Sequence, residues 1–205
     1  MIDLHIHTTY SDGSYKLVDI LKKCEEKKLS VISITDHNTC DSYFELEKLN
    51  LKNYYNGHII VGIELNTMVA GIPIEILGYN YDYYKMSELL KKYYLKPEER
   101  NKIEFERLVE KCEKYGLILD DNVLSQFDPN IFASVTILKN IQNHKENKAK
   151  INETYCQTMR DFYREYMSNP NTPLYVDTSD LIPNLNIAID LIKKSRWISV
   201  CSSYI

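Results

Sequence analysis

Apolar and polar positions along this chain follow two periods in turn. Ile2 and Leu4 alternate with polar neighbours, and the run ends on His5 and His7. Side chains two apart lie on one face of a strand, so His5 and His7 point the same way. Ser14 then stands where a helix cap belongs. Behind it Leu17, Ile20, Leu21 and Cys24 have the i, i+3, i+4, i+7 spacing of an apolar helix stripe. Val31–Thr35 reads as a second strand. A strand, a helix and a strand joined by this length of crossover make a βαβ unit, so the sheet is expected to be parallel. A weaker helical pattern runs from about Asp41 to Leu51, and Ile59–Leu65 and Ile72–Tyr79 read as two further strands. Repeated β/α units of this kind build either a barrel or a doubly wound sheet.

The pattern changes near Met86. Residues 86–170 are charged, tyrosine-rich and helical in period. Phe105, Leu108, Val109 and Cys112 form one apolar face, and Tyr155, Met159, Phe162, Tyr163 and Tyr166 form another. An aromatic stripe can stack bases, but burial in a core is the expected reading. Thr172–Val176 reads as a short connection. Leu185, Ala188, Ile189 and Ile192 mark a last helix, ahead of a strand-like run at Trp197–Val200. Three segments follow: residues 1–85 with the ligand-bearing strands, 86–170 as a helical insertion, and 171–205 as a return to the first fold.

Composition narrows the function. The chain has 205 residues, 44% of them hydrophobic, enough for one domain with a core. A net charge of −4 leaves no broad basic surface for duplex nucleic acid. No apolar run is long enough to span a membrane, and the N-terminus shows no signal-peptide pattern. Cys24, Cys40, Cys112, Cys156 and Cys201 form no Cys-x-x-Cys pair. That odd, dispersed set fits reduced thiols and a cytoplasmic location. No phosphate-loop glycine motif or Gly-x-Ser-x-Gly elbow is present.

The chemistry lies at the strand ends. His5 and His7 are followed by Asp12 in a turn marked by Ser11 and Gly13. The second strand runs into Asp36-His37-Asn38, and the third carries Glu64 near its end. Imidazoles and carboxylates converging on one spot form a site for zinc, manganese or iron. Taken alone, His5 and His7 could equally decorate an exposed strand face. Asp36 could partner an imidazole N–H or cap the next turn. Thr35 and Asn38 read as turn residues, and His58 and His144 as surface.

Together, His5-x-His7-(x4)-Asp12-Gly13-Ser14, Ile34-Thr35-Asp36-His37-Asn38 and Gly62-Ile63-Glu64 resemble the polymerase and histidinol phosphatase (PHP) family of phosphoesterases. The resemblance implies a distorted seven-stranded (β/α) barrel with its site at the C-terminal strand ends. It implies two or three divalent metal ions, of Mn, Zn or Fe. His5, His7 and Glu64 would hold one ion and Asp12 and His37 another, with Glu64 reaching both. The implied activity is hydrolysis of small nucleotide phosphates or RNA ends by metal-activated water.

The chain also departs from the family pattern. Many relatives carry a histidine ligand where this chain has Glu75; a carboxylate can take that role at a hard metal site, and the alternative is a solvent-facing side chain. The family's last ligands and phosphate-binding arginine have no counterpart, so the chain reads as truncated at its C-terminus. Arg196 falls where relatives have glycine and is no replacement. A catalytically silent metal-binding or interaction module is therefore the alternative. A metal-dependent amidohydrolase would add a bridging lysine at a strand end, and no strand here ends that way.

Overall fold

The computed structural model describes residues 1–196, so the strand expected at Trp197–Val200 lies outside the described residues. The chain divides into two compact units. One is Met1–Tyr94 with the segment from Ile182; the other is Leu95–Leu181.

The first unit begins as the sequence predicts. β1 (Ile2–Ile6), α1 (Leu17–Glu26) and β2 (Val31–Ile34) form a right-length βαβ crossover, with Ile2 paired to Val31 and Ile6 to Ile34 in parallel. β3 (His58–Ile59) continues the parallel sheet on the other side of β2. Leu17, Leu21 and Cys24 are buried against Ile32 and Ile34, which accounts for the helix stripe. The cap differs from expectation. Lys16 occupies the N-cap position of α1, and Ser14 is exposed and two residues short of it. The next helix, α2 (Asp41–Leu46), is also shorter than its predicted span, and a single 3₁₀ turn follows at Leu51–Asn53.

The run expected as one strand over 59–65 breaks in two. The Tyr43 hydroxyl donates to Ile34 O at 2.6 Å and accepts from Gly62 N–H at 2.7 Å. A buried side chain thus stands in for ladder bonds where the backbone leaves the parallel sheet. Gly62 is needed there, because a Cβ would fall 2.1 Å from Ser33 Oγ. Beyond the break, β4 (Gly62–Val69) and β5 (Ile72–Tyr79) pair antiparallel through a two-residue turn. Ala70 and Gly71 have φ of 50° and 79°, the left-handed pair that matches the twist of a tight hairpin. Two residues can join only antiparallel strands, so the expectation of uninterrupted parallel units fails here. Among the described residues the strands form a three-stranded parallel sheet and this two-stranded ribbon.

α3 (Tyr83–Tyr93) and the last helix, α7 (Leu185–Lys194), cover Ile63 and Leu65 with Met86, Leu90, Ala188 and Leu191. Both begin on a side-chain cap: Asp82 accepts from Lys85 N–H, and Asn184 from Ile187 N–H.

The second unit is helical. α4 (Pro97–Tyr115) buries Phe105, Leu108, Val109 and Cys112, the face read from the sequence. It ends on Gly116 at φ 76°, the left-handed stop that glycine supplies. α5 (Ala133–Asn143) and α6 (Met159–Phe162), which runs on into a π turn, close this core. The aromatic stripe divides. Phe162 and Tyr166 are buried, whereas Tyr155, Met159 and Tyr163 are exposed.

The four described cysteines are free and buried. Burial pushes the Cys40 and Cys112 thiols up to about 12, and raises the Tyr43 and Tyr81 hydroxyls as well. An unfolded thiol loses its proton near 9.0, so between there and about 12 the unfolded chain binds fewer protons than the folded one. Stability should therefore fall as pH rises through that window, by up to roughly 1.4 kcal/mol per pH unit for each thiol. Urea midpoints measured on either side of about pH 9 check this. A flat profile up to about pH 11 would mean that these thiols are not shielded from water.

Candidate metal centre

One backbone bridge joins the end of β2 to the hairpin. His37 and Glu64 form an isolated parallel bridge, in which Asn38 N–H donates to Glu64 O at 2.9 Å. This carries Glu64, the third residue of β4, to the ends of β1 and β2. His5 and His7 reach it from β1 by the period-two alternation the sequence shows. His5 Nε2 lies 2.8 Å from Glu64 Oε2 and His7 Nε2 2.9 Å, with His37 Nε2 at 3.6 Å. The carboxylate at the centre is buried, with 5% of the residue exposed.

Asp12 arrives on a tight loop. Thr8 O accepts from both Ser11 N–H and Gly13 N–H, folding residues 8–13 back on themselves. Gly13 makes this possible, since a Cβ there would fall 2.4 Å from His7 O. Asp12 Oδ1 then stands 3.0 Å from His7 Nδ1, and Oδ2 stands 3.8 Å from His37 Nε2. Within the cluster His5, Asp12 and Glu75 are exposed, His7 and His37 are half-buried, and Glu64 is buried.

Asp36 takes neither role read for it. It is buried and accepts from Thr8 N–H (2.7 Å), Thr8 Oγ1 (2.9 Å) and Ser11 Oγ (2.8 Å). It anchors the loop that presents Asp12. Thr8 and Ser11 were not read as site residues. Their signal is the hydroxyl-rich Thr-Thr-Tyr-Ser run around a buried carboxylate, which has no local pattern to mark it.

Asn66 was also missed. Its Oδ1 lies 2.8 Å from His37 Nδ1, its N–H donates to Asn38 Oδ1, and its carbonyl accepts from the Tyr94 hydroxyl. The available signal was period two along β4, because Asn66 shares the face of Glu64. Glu75 is the cross-strand partner of Asn66. Directly opposed residues share a face, so Glu75 faces the same side as Glu64. Its Oε1 is 3.9 Å from His37 Nδ1, and its side chain is 54% exposed. His58 lies exposed at the start of β3. His144, expected at the surface, is half-buried in the second unit and pairs with Asp120 at 2.9 Å. Hydrogen bonds from Gln126, and then from His144, hold the Asp120 carboxyl below its ordinary range.

With every imidazole neutral, hydrogen bonding alone does not balance this cluster. A neutral imidazole has one N–H, and an ionised carboxylate only accepts. His7 faces a carboxylate oxygen from each ring nitrogen, so a neutral ring leaves one lone pair against an anion. A cation between them resolves the conflict, as does a second proton on the ring. The possible ligand atoms form three groups: His5, His7, Glu64; His7, Asp12, His37; and His37, Glu64, Glu75. Each group spans no more than 4.8 Å. Bonds of about 2.0–2.3 Å place opposite ligands of one ion about 4–4.6 Å apart, so the spread and the donor types fit a divalent metal.

The profile of the PHP domain matches residues 3–169. The chain belongs to the PHP domain family. Over 90 residues this PHP chain is 32% identical to a 5'-3' exoribonuclease of Haemophilus influenzae, covering 43% of this chain and 32% of that protein. It is 30% identical over 80 residues to the 5'-3' exoribonuclease Rnm of Escherichia coli, covering 39% and 27%. The matched stretch thus spans a third or less of these curated relatives. Two solved structures share the fold over 95% of this chain and 63% of theirs. One is a candidate metal-dependent phosphoesterase from Bifidobacterium adolescentis, with a TM-score of 0.57 and 17% identity. The other is an amidohydrolase from Chromobacterium violaceum with bound sulfate, with a TM-score of 0.59 and 18% identity. No described helix of the PHP chain is long and apolar enough to cross a membrane.

Proposed function

We propose that this PHP chain is a metal-dependent phosphoesterase acting on small nucleotide phosphates or RNA ends. The observation that carries the reading is the approach of three imidazoles to a single buried carboxylate oxygen, Glu64 Oε2. His5, His7 and Glu64 would hold one divalent ion, Mn, Zn or Fe, and Asp12 and His37 a second, with Glu64 shared. Glu75 would add a carboxylate at the edge of the cluster. When bound, such ions neutralise phosphate oxygens and lower the pKa of water from 15.7 to about 7. The chain's own part is to bind and orient. Glu64 presents one buried carboxylate oxygen to all three imidazoles, and Asp36 holds the Asp12 loop in place. The likeness to 5'-3' exoribonucleases supports a nucleotide or RNA substrate, and the dispersed cysteines support a cytoplasmic setting. The PHP family match, with the fold shared with two solved structures, supports reading the parallel sheet and hairpin as parts of a distorted (β/α)7 barrel.

The test is turnover of an aryl phosphate, a nucleoside bisphosphate and a 5'-phosphorylated oligoribonucleotide, before and after chelation and with each metal restored. His37→Ala is expected to lower both bound metal and turnover. Loss of a partner behind a ligand commonly costs about 10–100-fold, so loss of the ligand itself should cost at least about 100-fold. Stoichiometric metal without turnover of any substrate would favour the silent-module reading. Metal content and turnover unchanged by His37→Ala would remove His37 from the site.

A further inference from the structure

The geometry points to Asn66 as a positioning residue that fixes the proton of His37 on Nδ1 and so aims the Nε2 lone pair at Asp12 and Glu64. The inference rests on the metal reading above and adds a residue to it. Its first observation is the 2.8 Å contact between Asn66 Oδ1 and His37 Nδ1. An amide oxygen only accepts, so the proton of that bond belongs to the ring. A neutral His37 is then left with no proton on Nε2. Nε2 faces Asp12 Oδ2 at 3.8 Å and Glu64 Oε2 at 3.6 Å, both beyond hydrogen-bond range and both acceptors. A lone pair turned toward two carboxylates is unfavourable by itself and becomes favourable with a cation among the three.

Asn66 is itself held on both sides. Its backbone N–H donates to Asn38 Oδ1 at 2.9 Å, and its carbonyl accepts from the Tyr94 hydroxyl at 2.9 Å. Asn38 adopts a left-handed φ of 54°, a conformation asparagine tolerates better than most residues, directly beside His37. His37, Asn38 and Asn66 therefore form a closed circuit between the end of β2 and β4. The other acceptor near Nδ1 is Glu75 Oε1, at 3.9 Å and outside hydrogen-bond reach. Withdrawing the Asn66 amide would leave Nδ1 with no acceptor in hydrogen-bond reach, while Nε2 still faces two carboxylates that would draw the proton to it. It would also free His37 to swing between the Asp12 and Glu75 sides of the cluster. Asn66 thus commits His37 to the Asp12 side.

The experiment reads the ring directly. Nitrogen-15 shifts of His37 are recorded on the neutral ring of the metal-free chain, with the signal assigned by its loss in His37→Gln. Mn(II) affinity is measured in parallel. The wild-type ring is expected to carry its proton on Nδ1. Asn66→Ala should move the proton toward Nε2 and weaken Mn(II) binding by about 10–100-fold, the usual effect of removing a ligand's hydrogen-bond partner. Asn66→Asp keeps the acceptor and should retain the Nδ1 proton, with affinity within a few-fold of wild type. Asn66→Ser also withdraws the carbonyl, and serves if the alanine variant does not fold. A wild-type ring protonated on Nε2 overturns the inference. So does an alanine or serine variant with unchanged ring and unchanged affinity. A ring that shifts as expected in a wild-type chain that binds no Mn(II) would support Asn66 as the holder of the ring and overturn the metal reading instead.

Discussion

Glu64→Gln is expected to strip the PHP chain of bound metal and lower phosphoester turnover by at least about 10³-fold. It should leave the metal-free fold intact. Glu64 Oε2 is the one atom that all three imidazole Nε2 atoms approach, at 2.8, 2.9 and 3.6 Å. Glutamine has the same shape but no charge, and one of its two positions becomes a donor. In the proposed site the shared carboxylate would be a ligand to both ions, so both would weaken together. The backbone pairing of β4 with β5, and its bond to Asp36 O, do not depend on the side chain. Taking a buried charge out of a metal-free site also removes a desolvation cost. Thermal unfolding separates the two effects. Metal at a thousand times its Kd stabilises the native state by about 4 kcal/mol, so added Mn(II) should raise the wild-type melting temperature and leave that of the variant unchanged. An equal metal-induced shift in both proteins would show that Glu64 is not a ligand.

The parts of this site legible in the sequence are those that local periodicity controls. His5 and His7 share a face because strands alternate, and the β1–α1–β2 crossover followed from helix and strand patterns read in order. What escaped depends on contacts distant in sequence. Asp36 meets Thr8 and Ser11 across 28 and 25 residues, and His37 meets Asn66 across 29. A polar residue with no motif of its own gives no hint of which carboxylate or imidazole it will find. The strand break at Ile60–Val61 escaped for a similar reason. An apolar run looks continuous until the Tyr43 hydroxyl takes over its hydrogen bonds. The hairpin turn Ala70-Gly71 lacks the Asn-Gly or Asp-Gly pair that marks a tight hairpin in sequence, so its two left-handed residues show only in the structure. Glu75 shows the reverse case. Its placement beside Asn66 and on the face of Glu64 follows from a register that only the antiparallel pairing supplies.

Asp36→Ala should cost more stability than any single ligand substitution, although Asp36 touches no imidazole. The residue is 1% exposed, and its carboxylate accepts three hydrogen bonds, at 2.7, 2.8 and 2.9 Å, from two residues of one loop. Thr8 is fully buried, so truncating Asp36 leaves a backbone N–H and a hydroxyl without their partner. Hydrogen bonds to a charged group are worth about 1.5–3 kcal/mol each and do not add in full, which puts the expected loss at roughly 2–4 kcal/mol. The same change frees the turn that carries Asp12 to His7 and His37, so Mn(II) affinity should fall by about 10–100-fold. Asp36→Asn separates charge from shape. The amide oxygen can still accept from Thr8 N–H, and the Thr8 hydroxyl can turn to accept from the new amide N–H. Less than half of the stability loss is therefore expected for asparagine. Chemical denaturation of the two metal-free variants, with metal titrations alongside, checks both numbers. An alanine variant as stable as wild type would show that solvent satisfies Thr8 and Ser11, and that the loop does not depend on Asp36.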